Sequence, residues 1–129
     1  MTNQMGQEAY LNSAIMTASP EELTLMLYDG AVKFNNQAML AVDTNNIEES
    51  NRLIGKVQDI VNELHATLNM EVEVSKNLEM MYDYIYRRLV EANVKKDKEI
   101  LVEVHEYLKE LRDTWKEAMV LAKKKVANS

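Results

Sequence analysis

The stretch TASPEELTLMLYDGAVKF, Thr17 to Phe34, decides the fold. Ser19 followed by Glu22 makes a capping box, in which the hydroxyl accepts from the backbone N–H at the third helical position and the carboxylate reaches back. Pro20 falls at the first helical position, where its missing N–H costs nothing and its fixed φ suits the helix. The three signals agree, and they predict a helix running from Pro20 to about Asp43.

This helix is apolar on more than one side. At about 100° per residue, Leu23, Leu27, Gly30, Ala31, Phe34, Ala38 and Ala41 form one stripe, expected to face the core. A second stripe, Leu25, Tyr28, Val32 and Met39, lies well away from it. Asp29, Lys33, Asn36 and Gln37 fill what remains. A helix of a small bundle needs one apolar face, so the second stripe is expected to meet either a neighbouring helix or another molecule.

The rest of the chain repeats the helical period. Asn46, with Glu49 three residues on, caps a second long helix whose seam is Ile47, Leu53, Ile54, Val57, Ile60, Val61, Leu64 and Leu68. Asn69 ends it, and Ser75 is the expected cap of a third, running to Ala92 with Leu78, Met81, Tyr82, Ile85, Leu89 and Ala92 inward. Met80, Tyr84 and Arg87 point the other way. Asp97 caps a fourth, with Leu101, Val104, Leu108, Leu111, Trp115, Ala118 and Ala122 as its core stripe. Ile100, Tyr107, Thr114 and Leu121 flank that stripe. Short connections force neighbours to run antiparallel. The expected fold is all-α: an up-down-up-down four-helix bundle over 19–125, with a short N-terminal helical segment, 1–18, and a tail, 126–129.

Composition agrees and excludes several functions. In 129 residues there are three Gly, one Pro and no Cys, which suits a single helical domain without disulfides, thiolate metal sites or a cysteine nucleophile. A net charge of −6 argues against nucleic acid. The run Lys123 to Lys125 is accounted for by the negative end of a helix dipole. No basic start with an apolar run marks a signal peptide, and no segment reaches the ~20 apolar residues of a membrane span, so a cytoplasmic location is expected. A di-iron site needs Glu-x-x-His on two helices, but Asn62 precedes His65 and Val102 precedes His105 at that spacing. No metal, cofactor or catalytic residue is expected, and the chain reads as not an enzyme. The rival from another class is a histidine phosphotransfer domain with His105 as phosphoacceptor. Glu106 and Tyr107 would crowd that ring, and Glu103 and Glu106 would repel a phosphoryl group. Nine methionines, with Met26, Met39 and Met80 off the core stripes, point instead to a surface that repacks around a partner.

A Tyr at position 10, then T-A-S-P-E-E-L-x-x-M-L-Y-D-G, then Met81 to Asn93 (MYDYIYRRLVEAN) and Leu111-Arg112-Asp113-Thr114-Trp115, together resemble the FliS family, the cytoplasmic secretion chaperones of flagellin. The resemblance spans nearly the whole chain. It departs at Gln7, where family members often carry a second Tyr. It implies a client, the C-terminal segment of flagellin, held so that it neither polymerises early nor loses competence for flagellar type III secretion, with export-gate components reached through the client complex. Oligomeric state is left open. The residues without a settled inward role are then the candidate client contacts: Leu25, Tyr28, Val32 and Met39 on the first long helix, and Met80, Tyr84, Arg87 and Tyr107 on the third and fourth. Residues 1–18 are expected to act as a lid, docking through Tyr10, Leu11 and Ile15 on a groove that the client later occupies.

Overall fold

The helices Pro20–Asp43, Ile47–Ala66 and Lys98–Ala127 start where their capping chemistry lies. A computed structural model describes residues 2–128, with side chains from Gly6 onward; Met1 and Ser129, the outermost residues of the expected lid and tail, lie outside the described residues. Among the described residues the helices are α1 (Thr2–Thr17), α2 (Pro20–Asp43), α3 (Ile47–Ala66), α4 (Val74–Lys95) and α5 (Lys98–Ala127). Ser19 Oγ accepts from the Glu22 N–H at 3.2 Å and donates to the Glu22 carboxylate at 3.0 Å. The carboxylate thus closes the box on the hydroxyl rather than on the backbone. Asn46 Oδ1 accepts from the Glu49 N–H at 3.2 Å, and Asp97 Oδ1 from the Glu99 N–H at 2.9 Å. Ser75 is not the cap expected of it: α4 begins at Val74, and Ser75 is buried inside the first turn, its N–H donating to the Val72 carbonyl at 3.0 Å. Lys96 closes α4 in the left-handed region, φ 52°.

Helices α2 to α5 close into a ring, α2 packing on α3 and α5, and α4 likewise on α3 and α5. This is the expected four-helix bundle, with α1 as an appendage outside the ring. The core is built from Ala31, Ala38 and Ala41 of α2, Leu53 to Leu64 of α3, Ile85, Leu89 and Ala92 of α4, and Leu101, Val104 and Leu108 of α5. Where the seam passes an end of the bundle it surfaces. Ile47 is 62% exposed, and Ala118 and Ala122, placed inward by periodicity, are exposed near the end of α5. Helix α5 runs to Ala127, into the first residues of the expected tail.

Three polar ties cross the bundle. The Tyr28 and Tyr82 hydroxyls bond each other in the core, linking α2 to the diagonally opposite α4. Asn35, fully buried, donates from Nδ2 to the Leu101 carbonyl at 2.8 Å. Trp115 Nε1 donates to the Glu21 carbonyl at 3.0 Å, and its ring lies 6.4 Å from that of Tyr28. A buried hydroxyl that loses its partner keeps its full desolvation cost. Tyr28→Phe is therefore expected to destabilise the protein by ~1–3 kcal/mol, and the double variant Tyr28→Phe/Tyr82→Phe by less than the two single losses added together; urea melts of the four proteins measure this. Burial raises both tyrosines above the ordinary value of 10.0. A raised folded-state value means that the unfolded chain ionises first. The stability held by the pair is thus fully present below pH 10.0 and is lost as pH climbs above it. Denaturant melts across the alkaline range should show that loss diminished in the double variant.

Candidate functional site

Of the two partners open to the second stripe of the first long helix, a neighbouring helix or another molecule, its central residues meet the first. Tyr28 and Val32 are 2% and 7% exposed and belong to the core, and Met39 is half-buried against it. Leu25 is half-buried. This corrects the rotation of α2: its buried face is displaced toward Tyr28, Val32 and Asn35. The physical reason is that Tyr28 has two inward partners, the Tyr82 hydroxyl and the Trp115 ring, which Leu23 on the other stripe cannot replace.

Because α2 is rotated this way, half of the stripe expected to form the core is left half-buried at the boundary, with Leu27 and Phe34 still touching the core. Leu23, Met26, Leu27, Gly30 and Phe34 line an open groove of about 830 Å³. Ile60 and Glu63 of α3, with Thr67 just past its end, form the facing wall, and Leu11 and Ile15 of α1 reach the groove's edge. The floor is aliphatic and aromatic, while Asp29, Lys33 and Glu63 supply charge at the rim. Lys56 Nζ stands 4.8 Å from the centre of the Phe34 ring, fixing that ring by a cation–π contact. Ligand pockets for small molecules place convergent polar groups inside an apolar shell; here the polar groups are confined to the rim.

The remaining candidates separate into two places. Leu11 and Ile15 meet the groove, but Tyr10 is 77% exposed and outside its lining. Met80, Tyr84, Arg87 and Tyr107 lie on the α4–α5 side. Met80 is 70% exposed, Tyr84 and Tyr107 meet edge-to-face at 5.8 Å, and Arg87 pairs with Asp83 at 3.4 Å. Arg88, 2.7 Å from Glu103 and 2.6 Å from Glu91, braces that seam. Partial desolvation, then the Glu103 charge, holds the Tyr84 hydroxyl above its ordinary pKa. Periodicity places Ile60, Leu23, Leu27 and Phe34 on core stripes and misses the side each turns to the groove. One signal was present: a glycine, Gly30, in the middle of a stripe taken for core.

The histidines are edge residues. His65 Nε2 lies 3.0 Å from Glu79 Oε2, tying α3 to α4, and His105 is partly buried with Nδ1 enclosed. A phosphoacceptor needs an accessible ring, which disfavours His105 in that role. Among the described residues no three acidic or histidine side chains gather as metal ligands, and no helix is long and apolar enough to cross a membrane.

Fold and site together define a four-helix bundle that carries an open apolar groove along two of its helices. A family model, "Flagellar protein FliS", matches residues 1–122. The chain is 44% identical to the flagellar secretion chaperone FliS of Bacillus subtilis, over 92% of this chain and 90% of that one. It is 34% identical to the FliS of Salmonella typhimurium, over 91% and 92%. A solved bacterial flagellar chaperone superposes with a TM-score of 0.73, covering 91% of this chain and 97% of the other; at 20% identity this likeness concerns the fold alone. The chain belongs to the FliS family of flagellar secretion chaperones.

The rotation of α2 is directly testable. Leu27→Lys, half-buried at the groove, is expected to cost about 1–2 kcal/mol, because the lysine stem keeps part of the apolar contact while its ammonium reaches water. Val32→Lys, on the buried side, is expected to cost ~3 kcal/mol or more. Thermal melts followed by circular dichroism separate the two.

Proposed function

We propose that this chain is an export chaperone that binds the disordered C-terminal segment of flagellin in the bacterial cytosol. Bound in this way, the segment is kept from polymerising early and stays competent for type III secretion. The observation that carries the reading is the open apolar groove of about 830 Å³ along α2 and α3, in a chain of the FliS family. A segment whose apolar helical face drives filament assembly needs that face covered until export, and a groove on a preformed bundle covers it without chemistry. The function needs no catalytic group or cofactor, so the chain is read as a binding protein and not an enzyme. Helix-in-groove recognition reads apolar anchors at threes and fours, the spacing at which Leu23, Leu27, Gly30 and Phe34 stand. Met80, Tyr84, Arg87 and Tyr107 offer a second, shallower contact for a client long enough to wrap the bundle. Export-gate components then meet the chaperone with its client.

In this reading α1 is a lid. Leu11 and Ile15 touch the groove yet stay 50% and 44% exposed, so α1 gives up little apolar contact when it leaves. A single helix of this length is marginal alone in water, and a lid that must open has to be weakly held. Tyr10, outside the groove, is placed to grip the client once the lid lifts.

Mixing the protein with a flagellin C-terminal fragment is expected to give a one-to-one complex with more helix, by circular dichroism, than the sum of its parts. An N-terminal flagellin fragment serves as control. Absence of binding to the C-terminal fragment would sink the assignment, and binding without added helix would sink coupled folding. Deleting residues 1–16 is expected to leave the melting temperature nearly unchanged and to alter client affinity, tighter if the lid only competes and weaker if Tyr10 also holds the client. A large fall in melting temperature would make the segment structural.

A further inference from the structure

Gly30 sits near the midpoint of the 24-residue α2, where glycine gives up more backbone freedom than any other residue. The fold supplies no reason for it. No described glycine has a positive φ. A Cβ built on Gly30 would come no closer than 3.4 Å to a neighbouring atom, Ile60 Cδ1, the free end of a flexible side chain. That is ordinary contact, so the bundle would accept alanine here. What the missing side chain leaves open is the groove.

Leu23, Met26, Leu27 and Gly30 stand at i, i+3, i+4 and i+7. Met26, Asp29, Gly30 and Lys33 repeat the pattern from the next turn, and all of them line the groove. Four residues so spaced form the hole that accepts a knob from a facing helix. The two holes share Met26 and Gly30, and Gly30 alone among these residues carries no side chain. α1 does not fill them, since Leu11 and Ile15 remain half exposed at the edge.

We propose that Gly30 is a specificity-determining residue: the two holes it joins receive large apolar side chains, leucine, methionine or phenylalanine, from successive turns of an incoming client helix. The inference rests on the chaperone function proposed above and narrows its client. The segment must carry bulky apolar residues three or four apart, with polar groups beside them where Asp29 and Lys33 form the rim. A helix presenting alanine or serine at those positions would leave the holes unfilled.

The test compares Gly30→Ala with Gly55→Ala in the full chain. Gly55 is a second mid-helix glycine, on α3 outside the groove lining, and a Cβ there meets nothing within 4 Å. Both variants are expected to raise Tm by about 3 °C, since alanine is the better helix former. Gly30→Ala is expected to weaken binding of the flagellin C-terminal fragment by about tenfold or more, the effect of one methyl too many in a packed contact. Gly55→Ala should bind within about twofold of the parent protein. Gly30→Ala binding as tightly as Gly55→Ala would overturn the proposal, as would a fall in Tm for Gly30→Ala alone, which would make Gly30 a structural residue. Failure of the unsubstituted protein to bind the fragment is a separate result: it overturns the chaperone reading, and this inference with it.

Discussion

The hydroxyl–hydroxyl bond between Tyr28 and Tyr82 sets the rotation of α2, and most of the functional surface follows from that rotation. A helix with two apolar stripes has two nearly equivalent ways to face a core. Hydrophobic burial alone distinguishes them poorly, because it is non-directional and follows area. A phenol is directional. Turned outward, Tyr28 would leave the Tyr82 hydroxyl buried without a partner; turned inward, both are satisfied and the Tyr28 ring packs by Trp115. Asn35, one to two turns on, enforces the same choice by holding the Leu101 carbonyl. With Tyr28 and Asn35 inside, Leu23, Leu27 and Phe34 are left at the boundary, and the groove is their shared outer side.

This explains what could and could not be read from the sequence. Helix starts were legible because caps are local: Ser19, Asn46 and Asp97 act on N–H groups two or three residues away. The seams of α3 and α4 were legible because each carries essentially one apolar stripe, whereas on α5 the flanking Ile100 is buried and Ala118 and Ala122 of the stripe are exposed. Ser75 misled because serine suits both a cap and a small buried position. The face of α2 was not legible, since the deciding contacts reach from Tyr28 to Tyr82 and from Asn35 to Leu101, far apart in the chain. A wheel of one helix contains no information about the hydroxyl waiting on another.

The candidate site divides along the same line. Leu11 and Ile15 could be placed at a groove from their own segment, because a short apolar helix must rest on something. Met80 and Tyr84 could be placed outside because α4 leaves no doubt about its inside. Tyr28 and Val32 stand as candidate contacts only while Leu23 and Leu27 fill the core, so a rotation of α2 that buries the first pair moves the second to the boundary. Family membership carries the function across this error, since the motif that marks it, through Tyr28, Asp29 and Gly30, holds core, rim and groove floor in three consecutive residues.

Trp115 is the sole tryptophan of the chain, and its indole N–H is held by the carbonyl of Glu21, in the first turn of α2. That turn begins at Pro20, which lines the groove together with Leu23. The molecule therefore carries an intrinsic optical reporter at the corner where bundle and groove meet. A segment seated against Pro20 and Leu23 would lie within one turn of helix of the indole's hydrogen bond, close enough for its arrival to be sought in the emission of the unlabelled protein. Core melting, which separates Trp115 from Tyr28, is read in the same signal at a different stage, and the two events can be followed in one cuvette.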